Sequence, residues 1–501
     1  MQVEHIPNPL LKRALLTPER TAVSFNGVQY TFKELYDLAH KTAGQLARHG
    51  VRKGRFAAVL LGNHMDTIVI LLALQLLGAK TVMINNRLTA GEIAWQLRDS
   101  GACVLLTGEK FREKIASLRK ELPSFSVVTK EVLFQTPMSE PEIVEEVALD
   151  DVCSVMYTSG TTGAPKGVLQ TYGNHWWSAV GSALNLGLRE DDCWLCAVPV
   201  FHISGYSILM RSLFYGMKMV LHERFDEKKT IKDIRYEKVT IMSVVATMLD
   251  RIVEQLKDDK LPGSFRCMLL GGGPAPLSLL KKCISKNIPV YQTYGMTETA
   301  SQIVTLSPEY SVKKLGSAGK PLFPASIKIV DDAGHDVAPY QSGEILVKGP
   351  NVAKGYLNYD PSYGRWNGWF RTGDIGFLDE EGFLYVQDRR SDLIISGGEN
   401  IYPAEVEGAL MSHPRVKDAG VIGVEDPEWG QVPVAFVVKE GSVSADELAK
   451  FVQSKLAKYK VPKEIYFVGE LPRNASRKLL RRKLREMLEK GEEDLLRPAG
   501  E

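Results

Sequence analysis

Met156-Tyr157-Thr158-Ser159-Gly160-Thr161-Thr162-Gly163-Ala164-Pro165-Lys166-Gly167 follows directly on the apolar residues Val152 to Val155. An apolar strand that opens into hydroxyls, glycines and one lysine has the chemistry of a polyphosphate site, because glycine lets backbone N–H groups approach and turn toward anionic oxygens. Thr158, Ser159, Thr161 and Thr162 add hydroxyl donors, Gly160 and Gly163 the backbone freedom, and Lys166 the charge. The spacing is not that of the P-loop NTPases: Pro165 precedes the lysine where that motif has Gly, and Gly167 follows it where that motif has Ser or Thr. A short glycine-rich connection is more often a surface turn. An unbroken run of this composition after a strand indicates a nucleotide loop of another kind.

Upstream, Thr21 to Phe25 and Val28 to Tyr30 flank Asn26-Gly27 as a hairpin, and Thr31 with Glu34 has capping-box spacing ahead of a helix carrying Leu35, Leu38, Ala39 and Leu46 on one face. Strand-like runs at 56–61, 81–84 and 104–107 then alternate with helical ones, which predicts a mainly parallel sheet covered by helices. Residues 139–151, acidic and containing Pro141, read as a solvated connector. Downstream of the loop the alternation resumes, with strands at 194–198, 217–222, 240–244, 267–270 and 290–294. Two such units predict two packed αβ-layered subdomains, with ligands beyond the carboxyl ends of the strands. From about Gly316 short strands and turns predict a smaller β-rich subdomain. After a boundary near Asp388, helices at 403–412, 444–457 and 477–490 among strands predict a small α+β domain. The fold class is thus α/β, a large domain over 1–388 followed by a small one over 389–501.

With 62 basic against 60 acidic residues the net charge is +2, which points away from nucleic acid as a partner. The longest apolar run, 67–79, is too short to cross a bilayer and the N-terminus lacks a signal-peptide pattern, so a cytoplasmic protein without membrane insertion is expected. Cys193 and Cys196 form a lone CxxC inside an apolar run, which fits buried thiols better than a zinc or redox site.

Five further stretches carry chemistry: Phe201-His202-Ile203-Ser204-Gly205; Leu270-Gly271-Gly272-Gly273-Pro274; Tyr294-Gly295-Met296-Thr297-Glu298-Thr299; Thr372-Gly373-Asp374; and the region from Asp388-Arg389-Arg390-Ser391 through Gly397-Gly398-Glu399. A carboxylate beside hydroxyls, as at Glu298, suits Mg²⁺, which prefers oxygen ligands. Asp374 after a tight turn can accept hydrogen bonds from two ribose hydroxyls.

In this order, and together with Pro472-Arg473-Asn474-Ala475-Ser476-Arg477-Lys478, these stretches resemble the adenylate-forming superfamily, which contains acyl-CoA synthetases, adenylation domains of peptide synthetases and beetle luciferases. The resemblance spans nearly the whole chain and implies ATP, Mg²⁺ and CoA as cofactor and co-substrates, with a small-molecule carboxylic acid as the remaining partner. It implies that Thr158 to Gly163 and Lys166 bind phosphates, that Gly271, Gly272 and Gly273 line the acyl and adenine pocket, and that Tyr294 stacks on adenine. By the same resemblance His202 is expected to form the wall between acid and nucleotide, Thr297 to contact phosphate, Glu298 to hold the metal, and Asp374 and Arg389 to take the ribose. The resemblance further implies that Lys478 is the adenylation lysine, that Ser391 is the pivot of a mobile C-terminal domain, and that Gly398 with Trp429 borders the thiol channel; a buried core tryptophan fits Trp429 equally well. Two positions depart from the family pattern: Ser391 stands where Asp or Lys is usual, and Arg477 precedes the lysine where Gly is common. Stretches such as Thr297 to Pro308 and Pro472 to Leu480 resemble one branch of the acyl-CoA synthetases, whose substrate carries a second carboxylate. His202, Ser204 and Gln302 are candidate donors for it. Other aryl- or acyl-CoA ligases, and a non-catalytic nucleotide-binding protein on the same fold, remain as alternatives, and the sequence permits a homo-oligomer.

Overall fold

The computed structural model describes residues 4–158, 165–272, 275, 277–389, 392, 394–396, 399–426, 428–456, 458–473, 479–489 and 497–498. They divide into two compact units, Met1–Ile327 with Val347–Phe370 and Lys328–Leu346 with Arg371–Glu501.

The first unit is organised by two mainly parallel sheets. One has seven strands in the order Gly355–Tyr356, Lys166–Thr171, Val152–Thr158, Lys80–Met83, Phe56–Val59, Leu105–Thr107, Val127–Thr129. Successive residues of these strands bury to opposite sides: Ala58, Val82, Leu105 and Val155 enter one core, while Val59, Met83, Leu106 and Met156 enter another. A sheet buried on both faces needs apolar residues at both parities, which is why these strands read as continuous apolar runs. The helix Met65–Leu76 is apolar on nearly every side, with all its residues buried except Asp66. Such a helix cannot sit at a surface, and its side chains share a core with both sheets.

The other sheet has nine strands in the order Lys320–Pro321, Ser301–Leu306, Val290–Met296, Cys267–Leu270, Ile241–Val244, Cys193–Cys196, Lys218–Leu221, Thr21–Phe25, Val28–Thr31. Chain order and sheet membership therefore part company twice. The N-terminal hairpin, turning at Asn26 (φ 51°) and Gly27 (φ 82°), joins this second sheet through Lys218–Leu221. The strand ahead of the phosphate loop joins the first sheet beside Lys80–Met83. The stretch 139–151 is also not wholly a solvated connector, because Glu146–Ala148 pairs antiparallel with His5–Pro7 and buries Val147. The Thr31 capping box and the helix Phe32–Arg48 form as expected, except that Leu38 lies exposed.

Gly343–Lys348, Trp369–Leu378 and Leu384–Arg389, most of whose residues belong to the second unit, share one sheet, in which Trp369–Leu378 and Leu384–Arg389 pair antiparallel. A further sheet pairs Val416–Asp426 with Gly430–Lys439 over ten positions, and its core holds Val406 and Leu410 of the helix Pro403–Met411 with Leu448 and Val452 of Ala445–Gln453. Among the described residues no helix is long and apolar enough to cross a membrane. Cys193 and Cys196 are buried and unpaired with each other, and burial pushes both thiols up to about 12.

Candidate active site

Val152–Thr158 and Lys166–Thr171 run antiparallel with Thr158 opposite Lys166, so the nucleotide loop closes a hairpin whose two ends are fixed by the sheet. Ser159, Gly160, Thr161, Thr162 and Gly163 lie outside the described residues. Thr158 is half-buried at the end of its strand, and Lys166 donates from Nζ to the Tyr363 hydroxyl at 2.6 Å.

The same hairpin holds the carboxylate turn. Gln170 Nε2 donates to the Thr297 carbonyl at 2.7 Å, fixing the 3-10 turn Thr297–Thr299 that follows the strand Val290–Met296. Glu298 on that turn is 6% exposed; its Oε1 accepts from the Tyr356 hydroxyl at 2.9 Å and its carbonyl accepts from Ala353 N at 2.7 Å. The chain returns through Ala300 (φ 51°) and Ser301 (φ 107°), a left-handed pair that costs free energy and is held by its surroundings. Gly295 is needed here for close approach, since a Cβ on it would lie 2.1 Å from the Ser301 carbonyl oxygen. Tyr294 sits opposite Val304 in the same ladder. A buried carboxylate of this kind fits a hard divalent cation. Among the described residues no cluster of three or more metal-ligating His, Cys, Asp or Glu side chains accompanies it, so substrate oxygens would complete the coordination.

His202 is the N-cap of the helix Ile203–Tyr215. The segment before it is pinned by Asn63, which donates to the Val198 and His222 carbonyls at 2.9 and 3.0 Å and accepts from Val200 N at 2.8 Å. The His202 Nε2 is buried and has no hydrogen-bond partner among the described residues. Burial, helped by the charge of Arg87, pulls its pKa down to about 4, so the ring is neutral at physiological pH. Gln302 is 4% exposed and neither of its amide atoms has a partner among the described residues. Next to it, Ser301 Oγ lies 3.4 Å from Ser207 Oγ, which brings the strand Ser301–Leu306 against the helix that starts at His202. Ser204 is exposed at the start of that helix. Gly271 and Gly272 follow the strand Cys267–Leu270, and Gly272 (φ +86°) adopts a conformation open mainly to glycine. Gly273 lies outside the described residues.

One residue here escaped the sequence reading. Arg211 lies two helical turns beyond Ser204, on the same face as Ser204 and Ser207. It is 2% exposed, its Nε and Nη2 have no partner among the described residues, and its guanidinium stands 5.1 Å from the Trp194 ring centroid. Burial lowers its pKa and, with Arg211 beside it, drives His175 down to about 3. A lone charge inside the otherwise uncharged run Tyr206 to Leu213 was the available signal.

In the second unit, Asp374 is 7% exposed, its amide donates to Thr372 Oγ1 at 3.0 Å, and its backbone stands opposite Arg389 in the antiparallel ladder. The Arg389 side chain, Ser391, Gly398 and Lys478 lie outside the described residues. Trp429 is 50% exposed, which removes the core-tryptophan alternative.

The AMP-binding enzyme family matches residues 10–357, and the AMP-binding enzyme C-terminal domain matches 405–478. The 2-succinylbenzoate–CoA ligase of Geobacillus sp. (strain WCH70) is 55% identical over 98% of this chain and 99% of its own. The o-succinylbenzoate CoA synthetase from Bacillus subtilis, solved in complex with the acyl-adenylate intermediate OSB-AMP, is 52% identical with a TM-score of 0.92, covering 96% of this chain and 98% of that one. The same enzyme solved with ATP and magnesium ion is 51% identical, also at a TM-score of 0.92, covering 96% and 100%.

Proposed function

The chain belongs to the AMP-binding enzyme family, and we propose that it activates 2-succinylbenzoate with ATP and passes the acyl group to CoA, the step that supplies o-succinylbenzoyl-CoA to menaquinone biosynthesis. It is an AMP-forming acid–thiol ligase using ATP, Mg²⁺ and CoA. The observation that carries the choice of acid is identity above half to 2-succinylbenzoate–CoA ligase over nearly the full length.

One carboxylate oxygen of the acid attacks the α-phosphorus of ATP, the bond to the β-phosphate oxygen breaks, and pyrophosphate leaves. Anion meets anion in this step, so positioning and positive charge count for more than a general base. The loop donors from Thr158 to Gly163 and Lys166 take the pyrophosphate side, Asp374 and Arg389 the ribose, and Tyr294 with Gly271 to Gly273 the adenine. Mg²⁺ bound at Glu298 would supply further charge for the phosphate oxygens. Lys478 bridges the incoming carboxylate and the α-phosphate. The CoA thiol then attacks the acyl carbonyl, its proton passes to solvent, and AMP departs. For that half-reaction the segment after residue 388 pivots at Ser391, withdrawing Lys478 and presenting Gly398 and Trp429 to the pantetheine arm. His202 walls the acid from the nucleotide as a neutral ring.

The second carboxylate needs donors and a counter-charge, because leaving it buried and unpaired is costly. Gln302 and Ser204 supply donors, and Arg211, buried without an acidic partner and with Nε and Nη2 unsatisfied among the described residues, supplies the charge. ATP–pyrophosphate exchange dependent on 2-succinylbenzoate tests the adenylation half; exchange that persists undiminished in Lys478→Ala would remove the lysine from the reaction.

A further inference from the structure

Lys166 is enclosed by three tyrosines of the segment that follows Gly355. Its Nζ stands 5.6, 5.9 and 4.6 Å from the ring centroids of Tyr356, Tyr359 and Tyr363, besides its hydrogen bond to the Tyr363 hydroxyl. The rings also contact each other, with centroids 6.0, 5.8 and 4.9 Å apart. The segment is registered to the lysine through the backbone: Tyr356 pairs with Val168, and Leu357 N donates to the Gly167 carbonyl at 2.7 Å. Tyr356 has a second attachment, since its hydroxyl is the donor to Glu298 Oε1. One aromatic cluster thus touches both the lysine of the phosphate loop and the carboxylate of the metal turn.

We propose that Tyr356, Tyr359 and Tyr363 form a positioning cage that holds Lys166 extended beside the phosphate loop and couples it to Glu298. A lysine side chain has many rotamers, and a free ammonium would have to be ordered by ATP itself. Aromatic rings and a neutral phenol hydroxyl hold the ammonium without neutralising it, so its charge remains for the pyrophosphate oxygens. A carboxylate in the same place would fix the lysine equally well and cancel the charge that the reaction uses. The cage rests on the ATP reading of Lys166 given above.

The test compares Tyr359→Leu/Tyr363→Leu with Tyr359→Phe/Tyr363→Phe and Lys166→Ala in the full chain. ATP affinity is measured by calorimetry, and KM is measured separately for ATP, the acid and CoA. Tyr359 and Tyr363 are 39% and 40% exposed, so their substitution leaves the core intact. The leucine pair is expected to weaken ATP binding about tenfold and to raise KM for ATP by as much, with KM for acid and CoA within about twofold. The phenylalanine pair, which keeps the rings, stays within about threefold of the parent. An ATP affinity unchanged in the leucine pair, equal losses for all three substrates, or a phenylalanine pair as weak as the leucine pair would overturn the cage. If Lys166→Ala binds ATP normally, the assignment of the lysine fails and the cage with it; if Lys166→Ala loses ATP while the leucine pair does not, only the cage fails.

Discussion

Replacing Arg211 by Met separates function from stability in opposite directions. In the free protein the guanidinium is buried with two nitrogens unpartnered among the described residues. Exchanging buried charge for an apolar side chain of similar volume is commonly neutral or stabilising by about 1–4 kcal/mol. The lost contact with the Trp194 ring, at 5.1 Å, and the lost hydrogen bond to Tyr215 together offset about 1–3 kcal/mol of that. The unfolding midpoint of Arg211→Met is therefore expected at or slightly above the parent's. With the diacid bound, the same change leaves the second carboxylate buried without its counter-charge, a loss of about 3–5 kcal/mol. At about 1.4 kcal/mol per decade, kcat/KM for 2-succinylbenzoate should fall on the order of 10²- to 10³-fold. The assay is steady-state AMP release by parent and variant with the diacid and with the same acid lacking its second carboxylate. Together they make a double-difference cycle that isolates the charge pair. The variant should lose most of its preference for the diacid. A lowered unfolding midpoint with the diacid preference intact would refute the argument and make Arg211 a structural residue.

Asp192 accepts from Arg266 at 2.7 and 2.6 Å, from Thr240 Oγ1 at 2.8 Å and from Arg189 N at 2.8 Å. Burial raises its pKa, but the Arg266, Arg189 and Thr240 hydrogen bonds outweigh this and leave it depressed. Its stabilisation is present above the unfolded carboxyl value and is lost as pH falls through the folded one; Asp192→Asn should cost about 3 kcal/mol at pH 7 in denaturant titration and flatten the acid limb. His202 is neutral from about 4 upward, so the pH profile of kcat/KM should show no inflection near 6.5 that disappears in His202→Asn; burial of the neutral ring also means that stability falls as pH drops from 6.5 toward 4. Gly295→Ala places a Cβ 2.1 Å from the Ser301 oxygen and must displace the turn bearing Glu298, so kcat should fall about 10²-fold while the rest of the chain folds normally by circular dichroism.

How far the sequence could be read depends on whether a signal is local. The Asn26-Gly27 turn, the Thr31 cap and the apolar parallel strands are set by residues adjacent in the chain, and each formed where the pattern placed it. Sheet membership is not local: nothing near Thr21–Phe25 says that its partner is Lys218–Leu221, nearly two hundred residues on. Glu146–Ala148 was masked by its acidic neighbours because a strand of three residues has too few positions to show alternation. At the site, the Tyr294 to Thr299 motif was legible as a unit, and it folds as one, the strand Val290–Met296 running straight into the turn that carries the buried Glu298. Arg211 and the three tyrosines around Lys166 were missed because their meaning lies in what they face, not in any spacing.

The central claim is tested most directly by AMP formation from ATP in the presence of CoA, with 2-succinylbenzoate set beside benzoate, 4-coumarate and a medium-chain fatty acid, and with Lys478→Ala as control. A CoA-dependent signal with 2-succinylbenzoate alone, lost in the variant by about 10²- to 10³-fold, is the expected result. Turnover with another acid in its place would contradict the substrate assignment, and silence with every acid would contradict the ligase itself.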